Sequence, residues 1–203
     1  MIQDIAPHVF HNAYAQKRSI QRGDKILCFD QNQILLYKNK NGEYDFLGFD
    51  ASIATGLFYY LFSVDQTAYF LLDRQYLTNK IMMKCTFLPI QIFREFSSAS
   101  GFPMIIMTGY HIYHWLRKNR FCGCCGHKTE YFASERAVYC PQCHNIIYPQ
   151  IAPAVAVAIL NGDKILLAKS AQGNFRRFSL IAGYVEVGET IEQTVHREVK
   201  EEV

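Results

Sequence analysis

The sequence lacks any apolar run long enough to cross a bilayer. Its longest runs, Leu57 to Val64 and Ile151 to Leu160, fall far short of the ~20 residues a spanning helix needs. The N-terminal stretch Met-Ile-Gln-Asp-Ile-Ala-Pro-His has no basic region leading into an apolar core, so no secretory signal and no membrane partner are expected. Proline is scarce at 6 residues and low-complexity tracts are absent, which excludes a disordered or linker-dominated chain. Charge of one sign is also scarce. A formal net charge of +3 is too small to demand nucleic acid as a partner, though it tolerates an anionic substrate. Of the 7 cysteines, five lie between residues 122 and 143 and two stand alone. That pattern excludes a disulfide framework and fits metal binding in a reducing, cytoplasmic compartment.

What is present is ordinary globular material: 203 residues, 50% hydrophobic and 14% aromatic, enough for one domain or two small ones. The expected class is α+β, in three parts. Residues 1–120 read as a mainly β domain ending in a helix. Ile26–Phe29, Ile34–Tyr37, Leu57–Val64 and Thr67–Leu72 are strand-like runs parted by turn-forming Asp, Asn and Gly. Pro103 to Asn119 carries Ile105, Gly109, Ile112, Tyr113 and Leu116 at helical spacing. Residues 121–148 are the cysteine segment. From 149 to 203 the pattern predicts a strand over Ile151–Leu160, a turn at Asn161-Gly162, strands at Lys164–Ala168 and Phe178–Ala182, and a helix from about Thr190. On that helix Ile191, Val195 and Val199 are expected on the buried side. The string Gly23-Asp-Lys-Ile-Leu27 recurs as Gly162-Asp-Lys-Ile-Leu166, by chance or by duplication of a strand unit.

Cys122-Gly-Cys-Cys125 and Cys140-Pro-Gln-Cys143 are two Cys-x-x-Cys knuckles. Each brings two thiolates to one side of a tight turn, and together they supply the four soft ligands of a tetrahedral zinc site. Only Cys122 with Cys125 keeps the two-residue spacing, so Cys124 is read as a spare thiol. Four thiolates leave no open position for water, which makes the site structural.

The last stretch places Glu198 one helical turn from both Glu201 and Glu202. Like charges so arranged destabilise a helix unless a hard divalent cation bridges them, and oxygen-only ligation suits magnesium or manganese. The competing reading is a solvated acidic face, which leaves the glycine-bounded loop before it unexplained.

Gly183, five residues, Glu189, seven residues and then Arg197-Glu-Val-Lys-Glu-Glu202 resemble the Nudix box. Phe121-Cys-Gly-Cys-Cys-Gly-His127 and Tyr148-Pro-Gln-Ile-Ala-Pro153 resemble the zinc ribbon and strand entry of the NADH pyrophosphatase branch of that family, whose members include NAD-capped RNA hydrolases. The resemblance covers residues 121–203 and implies a Nudix-like β-rich domain at 1–120, a four-cysteine ribbon at 121–148 and an α/β/α Nudix domain at 149–203. It implies hydrolysis of the pyrophosphate of NADH or NAD to AMP and nicotinamide mononucleotide, with removal of NAD caps from RNA as a further activity. Carried over, Glu198 and Glu202 hold Mg2+ or Mn2+ with the Ala182 carbonyl, Glu201 supports them, and Arg197 braces the loop against Glu189. Tyr148 and Glu135 match substrate-contacting positions, and a homodimer is implied. The box continues in the family with a Gly and an aliphatic residue, and the run that marks NAD specificity lies further on. The domain is therefore expected to be truncated within its catalytic helix, with little turnover by these 203 residues alone. The other readings are a noncatalytic remnant that binds or dimerises through its ribbon, and a Nudix hydrolase of another nucleoside diphosphate derivative.

Overall fold

The computed structural model describes residues 1–49, 57–169 and 177–203. The chain is α+β and divides into two compact units, Met1–Pro149 and Gln150–Val203.

In the first unit β1 (Phe10–His11), β7 (Tyr59–Val64), β8 (Thr67–Leu71), β2 (Lys25–Leu27) and β6 (Leu47–Gly48) form a sheet in that order, with β2 and β8 parallel. A second sheet joins β3 (Phe29–Asp30), β4 (Gln33–Lys38) and β5 (Tyr44–Asp45), with β9 (Cys85–Pro89) also paired to β4. The run expected as one strand over Ile26–Phe29 is broken at Cys28. Its first half bonds to β8, while the Cys28 carbonyl accepts from the Leu35 N–H at 2.9 Å and the chain passes into the second sheet. Both halves are apolar because both sheets are buried there: Ile26, Leu27, Cys28 and Phe29 are each at most 2% exposed. Periodicity cannot tell one buried strand from two. The run at Leu57 enters the sheet only at Tyr59, and a bulge lies between Tyr60 and Phe62.

A short helix, α1 (Asn79–Met82), precedes the long α2 (Phe102–Lys118), which packs on this core through Ile105, Ile106, Ile112, Trp115 and Leu116. Gly109 is required at the contact, since a Cβ there would stand 2.5 Å from Leu27 Cδ1. Arg117 and Lys118 occupy the last turn of α2, where positive charge suits the dipole. Three short strands follow, β10 (Glu130–Tyr131), β11 (Val138–Tyr139) and β12 (Ile146–Ile147), in one antiparallel sheet. Arg136 ties this segment to the large sheet. Its guanidinium donates to the Leu61 carbonyl at 2.5 Å and to Asn12 Oδ1 at 3.2 Å, and it covers the Tyr14 ring.

Asp24 is the most buried acid among the described residues of the first unit, at 4% exposure. It accepts a bidentate pair from Arg18 at 2.6 and 2.7 Å and N–H groups from Gln21 and Ala68. Burial is the largest influence on its carboxyl and raises its pKa, but Arg18 and the two amides together hold it below the ordinary carboxylate range. The depressed pKa fixes the sign of the pH dependence. The contribution is complete above the unfolded-state value and is lost as pH falls through the lower folded value. Asp24→Asn is expected to cost about 3 kcal/mol near neutral pH and to flatten the acid limb of the stability curve, read from urea melts across pH.

In the second unit β13 (Ala154–Val157) pairs antiparallel with β18 (Ile181–Tyr184), and α3 (Ile191–Glu202) packs on both. Two further antiparallel pairs occur among its described residues, β14 (Leu160–Asn161) with β15 (Lys164–Ile165) and β16 (Ala168–Lys169) with β17 (Phe178–Ser179). The expected single strand over Ile151–Leu160 is thus two. The tight turn centres on Gly162-Asp163 rather than Asn161-Gly162, because Asn161 pairs with Lys164 and Gly162 takes the positive φ of 60°. The repeated Gly-Asp-Lys-Ile-Leu string has the same local form in both places, a positive-φ glycine leading into a strand. Its aspartates differ: Asp24 is buried and Asp163 is exposed.

The buried face of α3 is also rotated by about one residue from expectation. Thr194 and Glu198 are buried, Val195 and Val199 are half-buried, and Ile191 is 61% exposed. The polar side turns inward because Glu189 and Gly183 receive it.

Candidate functional site

The four sulfurs of Cys122, Cys125, Cys140 and Cys143 lie within 4.8 Å of one another, and Cys124 stays outside the group, exposed. Cys122 and Cys143 are 3.6 Å apart and Cys125 and Cys140 3.4 Å, too long for a disulfide. A tetrahedral ion with bonds of about 2.3 Å would set its sulfurs roughly 3.8 Å apart, so the donor set fits zinc.

The two knuckles repeat one backbone pattern. Cys122 N–H donates to the His127 carbonyl and Gly126 N–H to the Cys122 carbonyl, both at 2.8 Å. Cys140 N–H donates to Asn145 and His144 N–H to Cys140, both at 2.9 Å. In each turn two N–H groups point at the first sulfur. Those of Cys125 and Cys124 hold the Cys122 pKa down to about 6. At Cys140 burial acts upward most strongly, yet the N–H groups of Cys143 and Gln142 and the other thiols bring it below the ordinary value. At Cys143 the Asn145 N–H is the largest influence and lowers the pKa. Cys125, burial, Cys122 and Cys140 outweigh it and push the thiol up to about 12. Thiols sharing protons in this way release them when a cation takes their place.

Gly126 and His144 fill equivalent positions with φ of 73° and 62°. Only the first carries the residue suited to the left-handed region. His144→Gly is expected to raise ribbon stability by about 0.5–1 kcal/mol and Gly126→Ala to lower it by about 1 kcal/mol, read from thermal melts of zinc-loaded protein.

Glu135 and Tyr148 are brought together within the first unit. The Tyr148 hydroxyl donates to Glu135 Oε2 at 2.6 Å, and that bond raises the tyrosine's pKa. Tyr148 is 48% exposed, so the pair faces solvent.

The acidic helix begins at a capping box. Gln193 N–H donates to Thr190 Oγ1 at 3.2 Å, and Thr190 N–H donates to Gln193 Oε1 at 2.8 Å. The loop before it closes on Glu189, whose Oε2 accepts from Glu186 N–H at 3.1 Å and from Thr194 Oγ1 at 2.9 Å. Arg197 is the hub. It meets Glu189 at 2.7 and 3.1 Å, the Tyr184 carbonyl at 2.9 Å, Glu198 Oε1 at 2.7 Å and Glu201 Oε2 at 3.4 Å. Arg197, and after it the Glu186 N–H, bring the Glu189 pKa down to about 2.

Glu198 is pressed against the backbone of Gly183, where a Cβ would stand 1.9 Å from its carboxyl carbon. Gly183 has no positive φ, so glycine is needed there for space alone. Ala182 is the preceding residue of the same strand. Glu201 and Glu202 are exposed. Among the described residues only the cysteines converge to within 4.8 Å; the three glutamates share a stripe without doing so. Their all-oxygen chemistry, on neighbouring turns, still suits a hard divalent ion. Two participants were not singled out from the sequence: Thr194, which the serine and threonine preference for helix ends does not reveal mid-helix, and the Tyr184 carbonyl, which leaves no side-chain trace.

A family model for the NUDIX domain matches residues 150–203. NAD-capped RNA hydrolase NudC of Pseudomonas syringae pv. tomato is 43% identical over 112 residues, 54% of this chain and 40% of that protein. The protein of the same name from Pectobacterium carotovorum subsp. carotovorum is 47% identical over 94 residues, 46% of this chain and 36% of that protein. The chain thus spans about two fifths of the length of these curated relatives. Residues 150–203 are thus similar to the NUDIX domain, and NudC-type NAD-capped RNA hydrolases are among the relatives of the chain.

Proposed function

We propose that the second unit serves metal-dependent hydrolysis of the pyrophosphate bond of NADH or NAD, yielding AMP and nicotinamide mononucleotide, with NAD caps on RNA as substrates of the same chemistry. The observation that carries the reading is the Glu189–Arg197–Glu198 clamp on Gly183. It holds one carboxylate against a strand and leaves Glu201 and Glu202 exposed beside it on the helix. In this reading Glu198 and Glu202 hold magnesium or manganese together with the Ala182 carbonyl. The ion would supply Lewis-acid polarisation of phosphate oxygens and an acidified water. Arg197 orients Glu198 and anchors the loop through Glu189 and the Tyr184 carbonyl, while Glu201 screens the arginine's outer face. Cys122, Cys125, Cys140 and Cys143 hold a structural zinc, and Tyr148 with Glu135 offers a hydrogen-bonding ring edge to the dinucleotide. A cytoplasmic homodimer completes the proposal.

The polypeptide that carries this segment, given NADH with Mg2+ or Mn2+, is expected to release AMP. Glu202→Gln should lower turnover at least about 100-fold with zinc content unchanged. Equal turnover by the variant would remove Glu202 from the site. A second reading, a zinc-ribbon binding module, is favoured by the first unit having its own two-sheet core. Absence of AMP release by metal-loaded protein would leave that reading standing.

A further inference from the structure

The first unit contains a cavity of about 360 Å3, in the range of small-ligand pockets. Its floor is apolar and buried, with Phe29, Leu71, Leu72 and Leu116. Tyrosine rings flank it: Tyr131 packs on Tyr59 with centroids 4.8 Å apart, and Tyr76 and Tyr131 are 37% and 45% exposed. Three arginines, Arg74, Arg117 and Arg120, line it against two acids, Asp30 and Asp73.

These charges are not equivalent. Arg74 is paired with Asp30, and Asp73 accepts the Gln75 N–H at 3.1 Å. Arg117 lies over the Tyr113 ring and donates to its hydroxyl at 3.2 Å. Neither Arg117 nor Arg120 joins an ion pair among the described residues. Both are exposed, Arg117 in the last turn of α2 and Arg120 just beyond its end. Two guanidiniums outside the ion pairs of the described residues, beside exposed aromatic rings and an apolar floor, make a setting for a planar ring that carries phosphate.

We propose that this cavity is a nucleotide site separate from the acidic helix, taking a nucleoside monophosphate. The base stacks on the rings of Tyr76 and Tyr131, and the phosphate is held by Arg117 and Arg120. The site lies wholly within Met1–Pro149 and needs neither Glu198 nor Glu202.

The test is calorimetric titration of the zinc-loaded full chain with AMP, adenosine and inorganic phosphate, without added magnesium or manganese. Saturable AMP binding is expected, at least tenfold tighter than phosphate. The Arg117→Gln/Arg120→Gln double variant should weaken AMP at least tenfold, and Tyr131→Leu should weaken AMP and adenosine but leave phosphate unchanged. Glu202→Gln should leave AMP binding intact. Should the double variant lose zinc or melt early, Arg120→Gln alone at an exposed position carries the same expectation. No saturable binding, AMP no tighter than phosphate, or AMP binding lost only in Glu202→Gln would each overturn the proposal. The hydrolase reading is judged separately, by AMP release from NADH.

Discussion

Cys140→Ser is expected to lose the zinc and the fold of residues 121–148 together, while Cys124→Ser loses neither. Cys140 is fully buried, and its sulfur lies 3.4 Å from Cys125 within the four-sulfur cluster. The segment has little else to hold it. Its strands β10, β11 and β12 have two residues each, and most of its side chains are exposed. A structural zinc contributes roughly 10–16 kcal/mol in such small sites, which exceeds what two-residue strands supply. Loss of one thiolate also leaves the other three sulfurs crowded together with an incomplete donor set for the cation. The damage should spread to the large sheet of the same unit through Arg136, whose bonds to Leu61 and Asn12 join the two segments. Zinc content by atomic absorption and amide dispersion by NMR read both effects. Equal zinc loss in Cys124→Ser would mean that the first knuckle uses a different pair.

Why the cysteines were legible and other parts were not follows from where the information sits. Two Cys-x-x-Cys pairs state their own geometry, because a knuckle is local and the partner knuckle is recognisable by type. The helix start at Thr190 is equally local, since Gln193 three residues on completes its capping box. The pairing of Glu189 with Arg197 was implied only by the resemblance to the Nudix box, and the two side chains lie 2.7 Å apart. What escaped was non-local. Nothing near Cys28 says that one apolar run serves two sheets, because that depends on β4 and β8 arriving from further along the chain. The inward face of α3 was misread for a related reason. Amphipathic patterning favours Ile191 and Val195, but Thr194 and Glu198 are drawn in by Glu189 and by the bare backbone of Gly183. A polar network overrides the apolar stripe there, with Arg197 bonded to Glu189 and Glu198. The pocket on the first unit joins Tyr76, Arg120 and Tyr131, separated by tens of residues with no shared motif.

Gly183→Ala is expected to disable the acidic helix while leaving the fold almost intact. The added methyl would stand 1.8 Å from Glu198 Oε1 and 1.9 Å from its carboxyl carbon, so the carboxylate must move. An exposed glutamate would swing away at little cost. Glu198 is 7% exposed and bonded to Arg197, which is in turn held by Glu189 and the Tyr184 carbonyl. Displacing it strains that clamp, and overpacking of this kind costs about 1–3 kcal/mol. The backbone is not at issue, because Gly183 has no left-handed φ and its ladder to Val155 can form with alanine. The functional loss should be far larger than the loss of stability. If Glu198 is one of two carboxylates holding the divalent ion, its displacement should weaken Mn2+ binding at least about 10–100-fold. Electron paramagnetic resonance of free Mn2+ reads that number directly, and a urea melt reads the stability on the same sample. Arg197→Lys makes a useful contrast. It keeps the charge but loses the fork that reaches Glu189, Tyr184 and Glu198 at once, so Mn2+ affinity should fall less than in Gly183→Ala while the loop loosens more. Unchanged Mn2+ affinity in Gly183→Ala, with Glu198 shown displaced, would remove Glu198 from the metal site and leave it a structural partner of Arg197.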